Sequence, residues 1–264
     1  MIIDFHTHTF PDKIADVAIE NLKKSSGYEN AIGGKISDLL AEMDRAGVDL
    51  SVNLPILTNP NHFDGTIEKL FKQNQQYDKI ISVACIHPLC ENLTEKFKII
   101  CDMGFKGIKL HPFFQNVTLD SKESMKVVEL AEKNDLFTIV HPGTDASFIG
   151  IDMASPNRIF NLINAVKPEK LVLAHMGAME YWDFIEREMC GINAFFDTSF
   201  SMDQMEKGQF LNIVKKHGAN KILFGTDSPW ISQVKYVELF KSLDLSDEEK
   251  QLILFKNAKK LLKI

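Results

Sequence analysis

The sequence predicts a closed parallel barrel of eight β/α units, the TIM-type (β/α)8 architecture of the α/β class, on three observations. Eight short apolar runs, mostly rich in Ile, Val, Leu or Phe, recur along 264 residues, as strands buried on both faces do. Segments with helical spacing separate them, which implies parallel pairing through right-handed crossovers. The length suits such a barrel, whose usual size is ~250 residues. An open doubly wound sheet is the competing architecture, and it lacks the GxGxxG turn that would follow its first strand.

In chain order the candidate strands are IIDFH (2–6), VDLSVNL (48–54), IISVACI (80–86), FKGIKL (105–110), LFTIV (136–140), KLVLA (170–174), NAFFDTS (193–199) and KILFG (221–225). Four of the intervening helices carry clear signals. ISDLLAEMDRAG sets Leu39, Leu40, Met43 and Ala46 on one stripe and closes at Gly47. SKESMKVVELAEKN opens on a Ser121 cap, and SPNRIFNLINAVKP places Pro156 near its first turn. MDQMEKGQFLNIVKKHG ends at Gly218. No low-complexity linker, internal repeat or long run of like charge divides the chain. Residues 1–264 are expected to form one domain.

Composition narrows the function classes. A net charge of -6 gives no support for nucleic-acid or anionic-membrane binding, both of which need a basic patch. No apolar run approaches the ~20 residues of a membrane span. Asp4, His6 and His8 stand where a signal peptide would be apolar. The four cysteines form no CxxC pair, so reduced thiols and a cytoplasmic location are expected. The expected partner is a small-molecule substrate; a homodimer, the commonest soluble assembly, stays open.

Position carries the functional signal. At the C-terminal ends of the candidate strands stand His6 and His8, then Lys109 and His111, His141, His175 and Asp227. In a parallel barrel these ends meet at one face, where such barrels carry their chemistry. Side chains alternate along a strand, so His6 and His8 project to the same side while Thr7 projects away. Two imidazoles facing the barrel axis would hold a divalent ion, and His141 and Asp227 would complete the sphere. An HxH alone is a weak signal; its combination with three further strand-end residues is not.

The segments DFHTHTF, GFKGIKLHP, TIVHPG, LVLAHMGAMEYW, ILFGTDSPW and NAKKLL together resemble the amidohydrolase superfamily. They are most similar to the amidohydrolase 2 branch, which includes aminocarboxymuconate semialdehyde decarboxylase and several lactonases. The resemblance covers nearly the whole chain in order. It implies a distorted barrel with a metal centre of one ion or two, one being favoured. It also implies that His6, His8, His141 and Asp227 are ligands and that His175 is a catalytic partner or a further ligand. Ala178 stands where the family often has a second glycine. In binuclear members the lysine corresponding to Lys109 is carbamylated; the decarboxylase-like branch usually lacks it.

Zinc is the first expectation for the ion, although imidazole and carboxylate also suit manganese, iron or nickel. Such an ion would lower the pKa of a bound water, with Asp227 taking its proton and His175 orienting it or polarising a carbonyl. Hydrolysis of an amide, lactone or ester is the expected reaction. The alternative is decarboxylation of a small unsaturated or aromatic carboxylate, and a second alternative is a non-catalytic binding barrel. Lys109, His111, Arg158 and Trp230 are the candidate substrate contacts. Asp4 is read as the orienter of an imidazole or the cap of a turn. His217, at a helix end, is read as structural.

Overall fold

The computed structural model describes residues 1–264. Its strands are β1 (Ile3–Thr7), β2 (Leu50–Asn53), β3 (Ile80–Ser82), β4 (Ala84–Cys85), β5 (Gly107–Leu110), β6 (Phe137–Val140), β7 (Leu171–Leu173), β8 (Phe195–Asp197) and β9 (Ile222–Leu223). Each lies inside a predicted run, except that β1 extends one residue past its run to Thr7, and every ladder is parallel. The run 80–86 is not one strand. It changes partner at Val83, so β3 pairs with β2 whereas β4 pairs with β5. The ladders therefore form a three-stranded and a six-stranded sheet.

Individual hydrogen bonds close the cylinder where the ladders stop. Val83 N donates to Asn53 O at 3.1 Å, which spans the break. On the other side Phe5 N donates to Phe224 O, Asp227 N to His6 O and His8 N to Ser228 O, at 2.7, 2.8 and 2.6 Å. These last three join the first and last strands, so the site residues are themselves part of the closure. The eight strand positions make a TIM-type barrel, with the broken third position as its distortion.

Local chemistry places the helices. Ser121 Oγ accepts from Ser124 N and opens the helix Lys122–Lys133, satisfying one of the orphan donors of its first turn. Gly47 adopts φ 69° and ends Ile36–Ala46, a left-handed conformation that glycine reaches without a Cβ penalty. Pro156 begins Pro156–Val166. The helix expected from Met202 starts only at Lys207 and runs to His217.

Two apolar layers result. Inside the barrel, Ile3, Phe5, Val52, Phe137, Val172 and Leu223 pack together, and Leu261 and Leu262 of the last helix join them. A larger layer fills the space between strands and helices. The register of β1 shifts between Asp4 and Thr7. That irregularity lets two adjacent residues turn inward: Phe5 meets Phe137 at 5.1 Å between ring centroids, while His6 reaches the site. No helix is long and apolar enough to cross a membrane.

Candidate metal centre

His6, His8 and Asp227 form one cluster, which the barrel closure assembles. His6 Nε2 lies 3.2 Å from His8 Nε2 and 3.3 Å from Asp227 Oδ1, and His8 Nε2 lies 3.2 Å from that same oxygen. The outer nitrogens decide what these contacts mean. His6 Nδ1 donates to Asp197 Oδ2 at 2.8 Å, and His8 Nδ1 donates to the Leu54 carbonyl at 2.9 Å. A carbonyl can only accept, so each imidazole spends its proton outward. Two nitrogen lone pairs and a carboxylate oxygen then face one another.

The same logic applies across the barrel mouth. His175 Nδ1 donates to Ser199 O at 3.0 Å, and His141 Nε2 donates to Thr144 O at 2.9 Å. Their remaining nitrogens, His175 Nε2 and His141 Nδ1, lie 2.9 Å apart. Burial pushes His6 down to about 4, against the pull of Asp197, and His175 down to about 3, aided by His141. His6 and His175 therefore stay neutral near pH 7 and present lone pairs at their inward nitrogens. Facing lone pairs repel unless a cation lies between them, and the donor set of imidazole and carboxylate is the one a divalent transition ion takes. The residues fit the implied group.

Asp197 is the hidden organiser. Its carboxylate is fully buried at the end of β8 and accepts from His6 Nδ1, His175 N, Ser199 N and the Ser199 hydroxyl. Burial pushes this carboxyl up, but the charge and hydrogen bond of His6 and the Ser199 hydroxyl outweigh it and hold it at about 2. A metal-binding histidine tied at its rear to a carboxylate is fixed in tautomer and orientation. Backbone conformation is also committed here. His175, Met176 and Asp227 have φ of 57°, 53° and 69°, unfavourable for residues with a Cβ and found where function over-determines geometry. Gly143, two residues past His141, packs so tightly that a Cβ would lie 2.3 Å from the Met179 backbone.

Lys109 sits at the centre without a partner. It is 1% exposed, its Nζ makes no hydrogen bond, and burial pulls it down to about 8 although Asp197 and Asp227 raise it. His111 stacks on His141 with ring centroids 4.3 Å apart, and its Nε2 lies 3.6 Å from Asp145 Oδ2. His111, His141 and Asp145 make a second group with ligand-like spacing.

A cavity of about 740 Å³ opens in front of the cluster, and its lining includes His8, His111, His141, Asp227 and Trp230. His6, Lys109 and His175 lie behind this surface. The expectation for Arg158 needs correction: its guanidinium pairs with Asp120 at 2.6 Å and with Asp152 at 3.2 Å, away from the cavity lining. Asp4 orients no imidazole side chain. Its oxygens accept from Thr226 N, Thr226 Oγ1 and Gln233 Nε2, which anchors the turn that presents Asp227. His217 stacks on Phe196 and bonds to the backbone on both sides, as a structural residue would. Sequence reasoning overlooked Asp197, Ser199 and Asp145. For the first two a signal existed, because FFDTS puts an acid and two hydroxyls at the one late strand end whose polar residues were not weighed.

Comparison with known proteins follows this geometry. A family model described as amidohydrolase matches residues 91–264. Among solved structures, 5-carboxyvanillate decarboxylase from Novosphingobium aromaticivorans, complexed with manganese and 4-hydroxy-3-methoxy-5-nitrobenzoic acid, superposes with a TM-score of 0.75 at 14% identity. The match covers 100% of this chain and 96% of that one. The 2,6-dihydroxybenzoate decarboxylase from Rhizobium gives 0.71 at 15% identity over 99% and 98% of the two chains. An uncharacterized TIM-barrel protein from Bordetella bronchiseptica gives 0.75 at 17% identity over 99% and 98%. Against the curated proteins the sequence finds no match.

Proposed function

The chain belongs to the amidohydrolase family, and from that premise we propose a cytoplasmic, metal-dependent decarboxylase that removes CO2 from a small aromatic or unsaturated carboxylate. The observation that carries the proposal is the convergence of His6 Nε2, His8 Nε2 and Asp227 Oδ1 at the edge of a cavity large enough for a ring. Decarboxylation, the alternative raised by the sequence, gains support over hydrolysis from structural neighbours that are decarboxylases. Manganese in one neighbour makes it the first ion to test, ahead of zinc.

His6, His8 and Asp227 would hold the ion, with His141 or His175 as a further ligand. When bound, the ion supplies Lewis acidity and a fixed positive charge for an anionic substrate group. The chain's own residues do the rest. Lys109 adds a second positive charge behind the floor, which favours a carboxylate in the cavity. Asp227, kept ionised by the neighbouring imidazoles against the effect of burial, reaches the cavity surface and relays a solvent proton to the ring carbon that bears the carboxylate. The carbon–carbon bond then breaks, its electron pair returns to the ring, and CO2 leaves; Asp227 is again the carboxylate it was at the start. His175, neutral and held by Ser199 behind the cavity surface, keeps its Nε2 lone pair directed at His141.

The test is turnover by protein stripped of metal and reloaded with manganese or zinc. CO2 release from a panel of hydroxybenzoates is expected, with one deuterium at the vacated carbon when the solvent is D2O. Asp227→Asn should lower the rate by about 10³-fold. Hydrolysis of lactones, amides or esters without CO2 release from any carboxylate would overturn the proposal. So would full turnover in the presence of chelator, or purified protein that binds no metal.

A further inference from the structure

The geometry points to a substrate that carries an apolar arm in addition to its reacting carboxylate, an inference that rests on the decarboxylase reading and deepens it. Size is the first argument. An apolar cavity of about 150 Å³ already holds benzene, whereas this one measures about 740 Å³. A lone ring seated against His8 and Asp227 would leave most of that space to water.

The second argument is the chemistry of the unused part. Leu22 and Tyr28, from the segment that follows β1, and Ile56 and Leu70, from the segment that follows β2, line the cavity together with Phe200 and Trp230. Leu22, Ile56 and Trp230 are only half-buried, and Tyr28 is exposed, although all four are large and apolar in body. Apolar walls left facing water at a reaction site gain when a ligand covers them.

Charge excludes the main competitor, a substrate with a second carboxylate at its far end. Lys69 is the sole lysine or arginine of the lining, while Asp12 and Glu180 are acidic, quite apart from Asp145 and Asp227 in the candidate ligand groups. A distal anion would meet more like charge than opposite charge. An alkyl arm meets none of this penalty.

Salicylate and 6-pentylsalicylate test the idea on manganese-loaded protein, with affinity measured by calorimetry and CO2 release followed separately. Each buried methylene should tighten binding by about fourfold, so the pentyl compound is expected to bind at least tenfold more tightly. Ile56→Asp and Leu22→Asp, on separate segments of the chain, should each remove that preference and leave salicylate affinity unchanged. Equal or weaker binding of the pentyl compound, with salicylate turned over, would overturn the arm and leave the decarboxylase reading intact. Tighter pentyl binding that both variants abolish, with no CO2 from either compound, would uphold the arm and end the decarboxylase reading. A preference that survives both variants would also overturn the arm.

Discussion

At the floor of the cavity four imidazoles are tied at the rear: His6 to Asp197, His8 to Leu54 O, His141 to Thr144 O and His175 to Ser199 O. Elsewhere in the lining, the side chains of Leu22 and Ile56 are half-buried and apolar, with no hydrogen bond to orient them. The difference separates two tasks. A hydrogen-bonded imidazole has one tautomer and one orientation, which an ion and a proton transfer both require. An aliphatic wall has no directional demand, so it accepts any apolar shape of suitable size. Chemistry is pinned at one end, and recognition is adaptable at the other.

Three substitutions sharpen or break this contrast. The largest effect is expected at the floor from Asp197→Asn. The amide can still accept from His6 Nδ1, but its NH2 then faces the His175 and Ser199 backbone donors. Manganese affinity should fall ten- to a hundredfold, about the cost of losing such a partner, when measured by titration of metal-free protein. Wild-type affinity in this variant would mean that the floor is not pinned by its rear contacts.

Lys109→Met should act in the opposite direction on stability. The buried ammonium titrates at about 8 instead of the usual 10.5. The folded chain thus binds fewer protons than the unfolded chain between those values, and wild-type stability rises with pH across that window. The variant should gain up to about 3 kcal/mol at pH 7 in metal-free protein and lose the pH-dependent rise. Substrate carboxylate affinity should fall at the same time. Denaturant melts between pH 7 and 10.5 measure the first effect; an unchanged slope with pH would show that Lys109 is already paired.

Arg158→Ala should do least. Its pairs with Asp120 and Asp152 are part-exposed, and such pairs contribute under about 1 kcal/mol. Michaelis constants should stay within twofold of wild type. A tenfold rise would return Arg158 to the substrate and extend the site beyond the cavity described.

The sequence made much of this legible, for identifiable reasons. His6, His8, His141, His175 and Asp227 could be read because each closes or follows an apolar run, and parallel strands bring such ends together. Asp197 could not be assigned its task, since its partners His6 and His175 lie 191 and 22 residues away and nothing local marks them. Arg158 was misjudged for a similar reason: the acid that holds it, Asp120, lies 38 residues earlier. The break at Val83 was invisible because IISVACI is uniformly apolar, and a change of pairing partner leaves no trace in such a run.

The barrel, the caps at Ser121 and Gly47 and the residues of the candidate cluster were legible in the sequence itself, because periodicity and capping are local properties of neighbouring residues. The tautomer of each histidine, the isolation of Lys109 and the two characters of the cavity were decided only by the tertiary structure. A proton settles on one ring nitrogen according to what faces the other, and that neighbour arrives from a different strand.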